Sequence, residues 1–160
     1  VSAKPMVIAF SPLIRTATGK EKDTPVNIKR EKEFVINFVD ESIINDVNLT
    51  STELEYGQSE LELTSFSTID SEIIKTQRVA ESPIQYECRF LDTLSYGEDL
   101  GGGQIITGEV VKVHVRSDLY DNGRINENIY KPVGRGAGLD WIKCTDKFQL
   151  ERLMKAQIQK

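Results

Sequence analysis

The sequence predicts a mainly β protein, a β-barrel with a few short helices, on three observations. Ile84 to Asp92 alternates Tyr86, Cys88 and Phe90 against Gln85, Glu87 and Arg89, the pattern of a strand with one buried face. Gln104 to Arg116 is a second long strand, with Val111, Val113 and Val115 on one side and Lys112, His114 and Arg116 on the other. Helical signals are short, and the connections are long and rich in glycine or polar residues.

The elements follow in chain order. Met6-Val7-Ile8-Ala9-Phe10 is an apolar run without alternation, expected to be a strand covered on both faces. A helix is expected over residues 24–32, with Thr24 as its N-cap and Pro25 in the first helical position, where the missing N–H costs nothing. Phe34 to Val39 is β-branched and aromatic, hence a strand. Asp40 or Ser42 caps a second helix that carries Ile43, Ile44 and Val47 and ends near Asn48-Leu49-Thr50-Ser51. Residues 52–82 are polar and mixed, and a helical turn or two within a long loop is expected there.

Gly101-Gly102-Gly103 breaks the chain before the second long strand, and Gly108 within it marks a bulge or a close approach. Asp121-Asn122-Gly123-Arg124 has the residue types of a tight turn. Gly134 to Gly138 precedes a last short strand around Leu139 to Thr145, and residues 150–160 are expected to close the chain as a surface helix.

Composition narrows the function classes. The chain has 160 residues, enough for one domain with a real core, and 39% hydrophobic with 28% charged residues is an ordinary globular balance. A net charge of -5 argues against a nucleic-acid backbone as partner. No run has the length of a membrane span, so no membrane partner is expected. Cys88 and Cys144 stand in unrelated contexts without a CxxC, which reads as free buried thiols in a reducing, cytoplasmic setting.

Against that acidic background, Arg15, Lys20 and Lys22 gather just before the first helix. Helix N–H groups and the dipole behind them favour an anion, so the cluster suggests a bound phosphate or carboxylate. An ordinary capped helix among solvated charges is the plainer reading of that segment alone. Arg15 shares its loop with Thr16, Thr18 and Gly19. His114 alternates with Lys112 and Arg116 and is expected in solvent. Glu109, after Gly108, is expected to be buried with a salt-bridge partner or at a dimer contact. Trp141 and Tyr130 are expected to cover a ligand ring or to pack at a dimer contact, with plain burial the first reading of Trp141.

The collinear set Met6 to Ser11, Arg15, Lys22-Asp23-Thr24 with Asn27-Ile28, Glu33 to Asn37, Asn48 to Ser51, Arg78 to Pro83, Glu87-Cys88, Gly108 to Val111 and Pro132 to Arg135 resembles the flavin reductase-like, FMN-binding split-barrel family, which includes flavoredoxins. The resemblance covers nearly the whole chain. It implies a split β-barrel of Greek-key type, residues 1–160 forming a single domain that lacks the family's two N-terminal strands. It also implies FMN held at the interface of a homodimer, with hydride transfer from NADH or NADPH to the flavin, and no metal.

Carried over residue by residue, Ser11, Arg15, Lys22, Asp23 and Thr24 match the family's phosphate-side segment, and Asn48 and Thr50 match a motif near the flavin. Asp23 has two readings, a partner for Lys22 or Arg15 and a helix cap. Arg135, between two glycines, is either a substrate-side group near the flavin edge or a nicotinamide phosphate, or a plain loop arginine. Gln104 stands where many relatives have His; it can donate a hydrogen bond but cannot shuttle a proton. An FMN-binding oxidoreductase of the flavin reductase type is the expectation, and a non-catalytic flavin-binding or electron-carrier domain is the alternative.

Overall fold

The computed structural model describes residues 1–15, 18–55, 57–97 and 99–152. Its elements are β1 (Ser2–Ala3), β2 (Met6–Phe10), α1 (Asp23–Glu31), β3 (Glu33–Asn37), α2 (Ile44–Leu49), β4 (Thr68–Ile69), β5 (Arg78–Val79), β6 (Ile84–Tyr96) and β7 (Gly103–Val115). Two short strand pairs complete it: β8 (Tyr120–Asp121) with β9 (Arg124–Ile125), and β10 (Val133–Arg135) with β11 (Trp141–Lys143). Among the described residues the main sheet has five antiparallel strands in the order β1-β2-β7-β6-β3.

The sheet curls. Phe10 of β2 and Phe34 of β3 lie on strands that are not neighbours in the sheet, yet their rings meet edge to face with centroids 5.6 Å apart. Ile28 of α1 plugs the same space with Phe34, Cys88 and Ile106. Each such side chain, fully withdrawn from water, contributes roughly 1.5–3 kcal/mol. Of the two readings of Gly108 the close approach holds, and the bulge lies on the partner strand, with Leu91 of β6 as the extra residue. The register slips between Phe90 and Asp92 opposite it, and a Cβ on Gly108 would run into the Phe34 ring.

Several local expectations are corrected. Helix α1 starts one residue early, with Lys22 in extended conformation at the N-cap and no side chain capping the turn. Thr24 is not the cap, because Asp23 is already helical. Pro25 therefore sits in the third position, where its lack of an N–H is equally harmless. Strand β2 is not covered on both faces; Met6 is 37% exposed and Ala9 is exposed, since the chain places its helical cover on one side only. Helix α2 begins after Ile43, and Asp40 instead accepts from the N–H and hydroxyl of Ser42 in the turn before it.

The alternation over β6 does not leave its polar face wet. Gln85 and Glu87 are buried along with Cys88, because residues 70–79 fold back over that face and satisfy them. Cys144 is exposed, not buried. Glu109 is half-buried and has no ion pair among the described residues, so the expected salt bridge is not there. The glycine segment from Gly134 is partly strand itself, since Val133–Arg135 pairs with Trp141–Lys143 and takes over part of the expected final strand. The expected C-terminal helix falls mostly on residues 153–160, which lie outside the described residues, as does Thr16.

Candidate functional site

Two clefts flank the start of α1. One, of about 580 Å³, is lined by Arg15, Thr18, Lys20, Glu21 and Asp23, with Glu53 and Glu55 opposite. The other, also about 580 Å³, lies between α1 and β3, where Phe10, Ile28, Phe34, Val35 and Ile36 form an apolar floor and Thr24, Asn27, Lys75 and Thr76 stand on the rim. Both volumes fall within the range of small-molecule sites.

The loop from 15 to 20 is held by its own backbone. The Arg15 N–H donates to the Lys20 carbonyl at 2.9 Å, and the Gly19 N–H donates to the Arg15 carbonyl at 2.8 Å. Arg15 pairs with Asp23 at 3.1 Å, which decides between the two readings of that carboxylate: Asp23 orients Arg15 and caps nothing. Lys22 is exposed and has no ion-pair partner among the described residues. Among the described residues no side chain caps α1, so the N–H groups of Asp23 and Thr24 are open beside that ammonium.

Glu21 ties this corner to the barrel. Its carboxylate accepts from both Lys29 of α1 and the side-chain amide of Gln104 on β7. Burial alone pushes its carboxyl up, but the bonds from Lys29 and Gln104 outweigh that and hold it below the usual range. Gln104 is 6% exposed, and its amide oxygen is buried with no partner among the described residues. Gln104 lines a polar cavity of about 230 Å³ together with Ile14, Lys29, Ser95 and Gly97.

The sequence-derived candidates separate in space. Arg15, Lys22, Asp23 and Thr24 gather at the start of α1, with Arg15 and Asp23 in the first cleft and Thr24 in the second. Ser11 is exposed just past β2. Asn48 and Thr50 sit at the end of α2, where the Thr50 hydroxyl donates to the Val47 carbonyl at 2.7 Å and lines a different, largely apolar cavity. Arg135 lies over the Trp141 ring at 5.0 Å and donates to the Gly138 carbonyl, within the β10–β11 hairpin and outside both clefts.

One polar constellation lies apart from the predicted site residues. Glu87, fully buried, accepts from the N–H groups of Glu72, Ile73 and Ile74 at 2.8 to 3.2 Å. His114 Nε2 lies 2.6 Å from it, so His114 is not in solvent, and only 13% of its side chain is exposed. A carboxylate only accepts, so Nε2 carries the proton. Burial raises the Glu87 carboxyl, yet those N–H groups and His114 bring it down to about 2. Alternation placed Glu87 and His114 on the polar faces of their strands; nothing local announced that residues 70–79 would cover them.

Comparison with known proteins places this geometry. The family model described as "Flavin reductase like domain" matches residues 1–130. An uncharacterized protein of Bacillus subtilis, YwrF, is 31% identical over 156 residues, spanning 95% of this chain and 75% of that one. Nitrilotriacetate monooxygenase component B from Bacillus cereus superposes with a TM-score of 0.87 at 35% identity, over 94% of this chain and 74% of that one. The Pseudomonas fluorescens 2-nitrobenzoate 2-nitroreductase NbaA gives 0.83 at 25% identity, over 97% and 73%. A Shewanella frigidimarina protein with a split barrel domain, at 0.74 and 24% identity over 96% and 73%, shares the fold.

Proposed function

The chain belongs to the flavin reductase-like domain family, and from that premise we propose that it binds FMN and transfers a hydride from NADH or NADPH to it. When bound, the flavin supplies the redox chemistry, and the protein supplies binding, orientation and electrostatics. The observation that carries the reading is the uncapped start of α1, with the exposed Lys22 ammonium beside it and Arg15 fixed by Asp23. A phosphate dianion there would gain charge-assisted bonds from both cations and from free N–H groups. Glu53 and Glu55 across the first cleft oppose an anion, so the phosphate belongs on the helix side, nearest Lys22.

Leu91, Leu94 and Tyr96 are 49%, 51% and 63% exposed along β6, which supports a homodimer that covers them. Among the described residues no helix is long and apolar enough to cross a membrane, and a cytoplasmic location is proposed with it. Ser11, Asn48, Thr50 and Arg135 are proposed as flavin or substrate contacts on the strength of the family resemblance.

The test is the visible spectrum of purified protein after FMN addition and desalting. A retained oxidised-flavin band supports the cofactor, and NADH or NADPH oxidation by the loaded protein supports the reaction. Flavin retention without oxidation of either nicotinamide would favour a second reading, a non-catalytic flavin-binding or electron-carrier domain. Gln104 favours that reading specifically, because its amide is tied to Glu21 and it cannot shuttle a proton. A colourless protein would overturn both.

A further inference from the structure

Residues 72–76 present an unusual run of bonds. Five successive backbone N–H groups are taken up by two carboxylates from neighbouring strands. Glu87 of β6 holds Glu72, Ile73 and Ile74. Glu33, the first residue of β3, accepts from Lys75 and Thr76, both at 2.7 Å, and from the Thr76 hydroxyl at 3.1 Å. Among the described residues, 72–76 make no backbone bond to the main sheet; the segment is fastened to it by side chains alone.

The two fastenings differ in kind. Glu87 is fully buried and is backed by His114, with Arg78 Nε 3.9 Å away. Releasing it would strand a buried charge. Glu33 is only half-buried, at the mouth of the apolar cleft, and its carboxylate can trade those N–H groups for water. Glu33, Lys75 and Thr76 all line that cleft. Residues 70–77 are the loop between the paired strands β4 and β5, closed at its base by the Gln77 amide on Asp70 and the Ser71 hydroxyl on the Thr76 carbonyl. Of its two fastenings to the main sheet one is fixed and the other can let go, and the latter lies at the cleft.

We propose that residues 71–77 form a strap, anchored permanently by Glu87 and releasably by Glu33, whose Glu33 end opens and closes the apolar cleft between α1 and β3. The proposal goes beyond the flavin reading and does not depend on it. Local opening of this sort draws on contacts that water can replace at small cost, and the three bonds to the half-exposed Glu33 carboxylate are of that kind, unlike those to the buried Glu87.

Two measurements on the whole chain, without ligand, test it. In amide hydrogen exchange, Glu33→Gln should speed exchange at Lys75 and Thr76 severalfold and Glu33→Ala by about tenfold or more, the loss expected for charge-assisted bonds. Glu72, Ile73 and Ile74 should stay within about twofold of the parent, since Glu87 still holds them. Unchanged protection at 75 and 76, or all five amides opening together, overturns the proposal. For the cleft itself, Ile36→Cys in a Cys144→Ser background supplies a thiol on the floor. Its labelling by a bulky thiol reagent should be several times faster with Glu33→Gln than without; equal rates would mean that the strap does not gate the cleft.

Discussion

The ring of Phe34 occupies the space that a side chain on Gly108 would need, so β3 and β7 are in direct contact through an absent Cβ, opposite the bulge in β6. Replacing Gly108 with Ala forces the ring out of its edge-to-face packing on Phe10 or pushes β7 away from the Arg89 carbonyl, which the same Cβ would approach to 3.2 Å. Neither can yield cheaply in a packed core, and a loss of about 2–3 kcal/mol is expected in urea unfolding. An unchanged midpoint would show that the core has slack there.

Acid stability should report on Glu87. Its carboxyl is held at about 2, below its ordinary value of 4.5, so the unfolded chain binds the proton first as pH falls. The stabilisation is complete above about pH 5 and drains away between there and pH 2, on the order of 3 kcal/mol in all. Glu87→Gln should be less stable at pH 7 but lose less on acidification. Parallel curves of stability against pH for the two proteins would exclude Glu87 as the source.

Helix α1 ends in Lys32 with φ of 63°, a left-handed residue that donates to the Ile28 carbonyl. Glycine favours that position by about 1 kcal/mol, while the Lys32 ammonium over the Phe90 ring is worth about 0.5 kcal/mol at an exposed site. Relief of the backbone strain therefore outweighs the cation–ring attraction that the substitution removes. Lys32→Gly should gain about 0.5 kcal/mol in thermal or chemical unfolding; a clear fall in stability would give the ring attraction the larger share.

Lys22→Ala should weaken FMN binding about tenfold, as expected for one charge-assisted bond to phosphate, and leave riboflavin binding unchanged. The comparison isolates the phosphate. Equal weakening for both ligands would place Lys22 against the ring system, and no change for either would remove it from the site.

Thiol titration should find one fast and one silent cysteine. Cys144 is exposed, whereas Cys88 is buried and its thiol is pushed up to about 12, first by burial and then by the Glu87 charge. In native protein a disulfide reagent should modify a single thiol, and Cys144→Ser should abolish the reaction. Modification of Cys88 without denaturant would contradict its burial.

The strands were legible because period-two patterns survive in any context: Tyr86, Cys88 and Phe90 announced β6, and Asn122-Gly123 announced the turn between β8 and β9. What escaped depended on partners remote in sequence. Thr24 has the residue type of a cap, yet Lys22 holds the cap position and Asp23 turns to Arg15. His114 has polar neighbours along its own strand, yet a carboxylate 27 residues away claims it. For the candidate site, the cations around α1 could be read from their clustering. The Glu21 link to Gln104 could not, because nothing local distinguishes a carboxylate that reaches across the fold from one that faces water.

That link bears on the order of assembly. Glu21 and Gln104 are 83 residues apart, whereas β6 and β7 follow each other closely in the chain and pair over nearly their full length. Long-range closures are slow to form, and they come after the hairpins that supply their anchor points. The cleft beside Arg15 is thus expected to gain protection after the β6–β7 hairpin in a refolding experiment. A nascent chain displays its cationic loop long before that loop has a wall to close against.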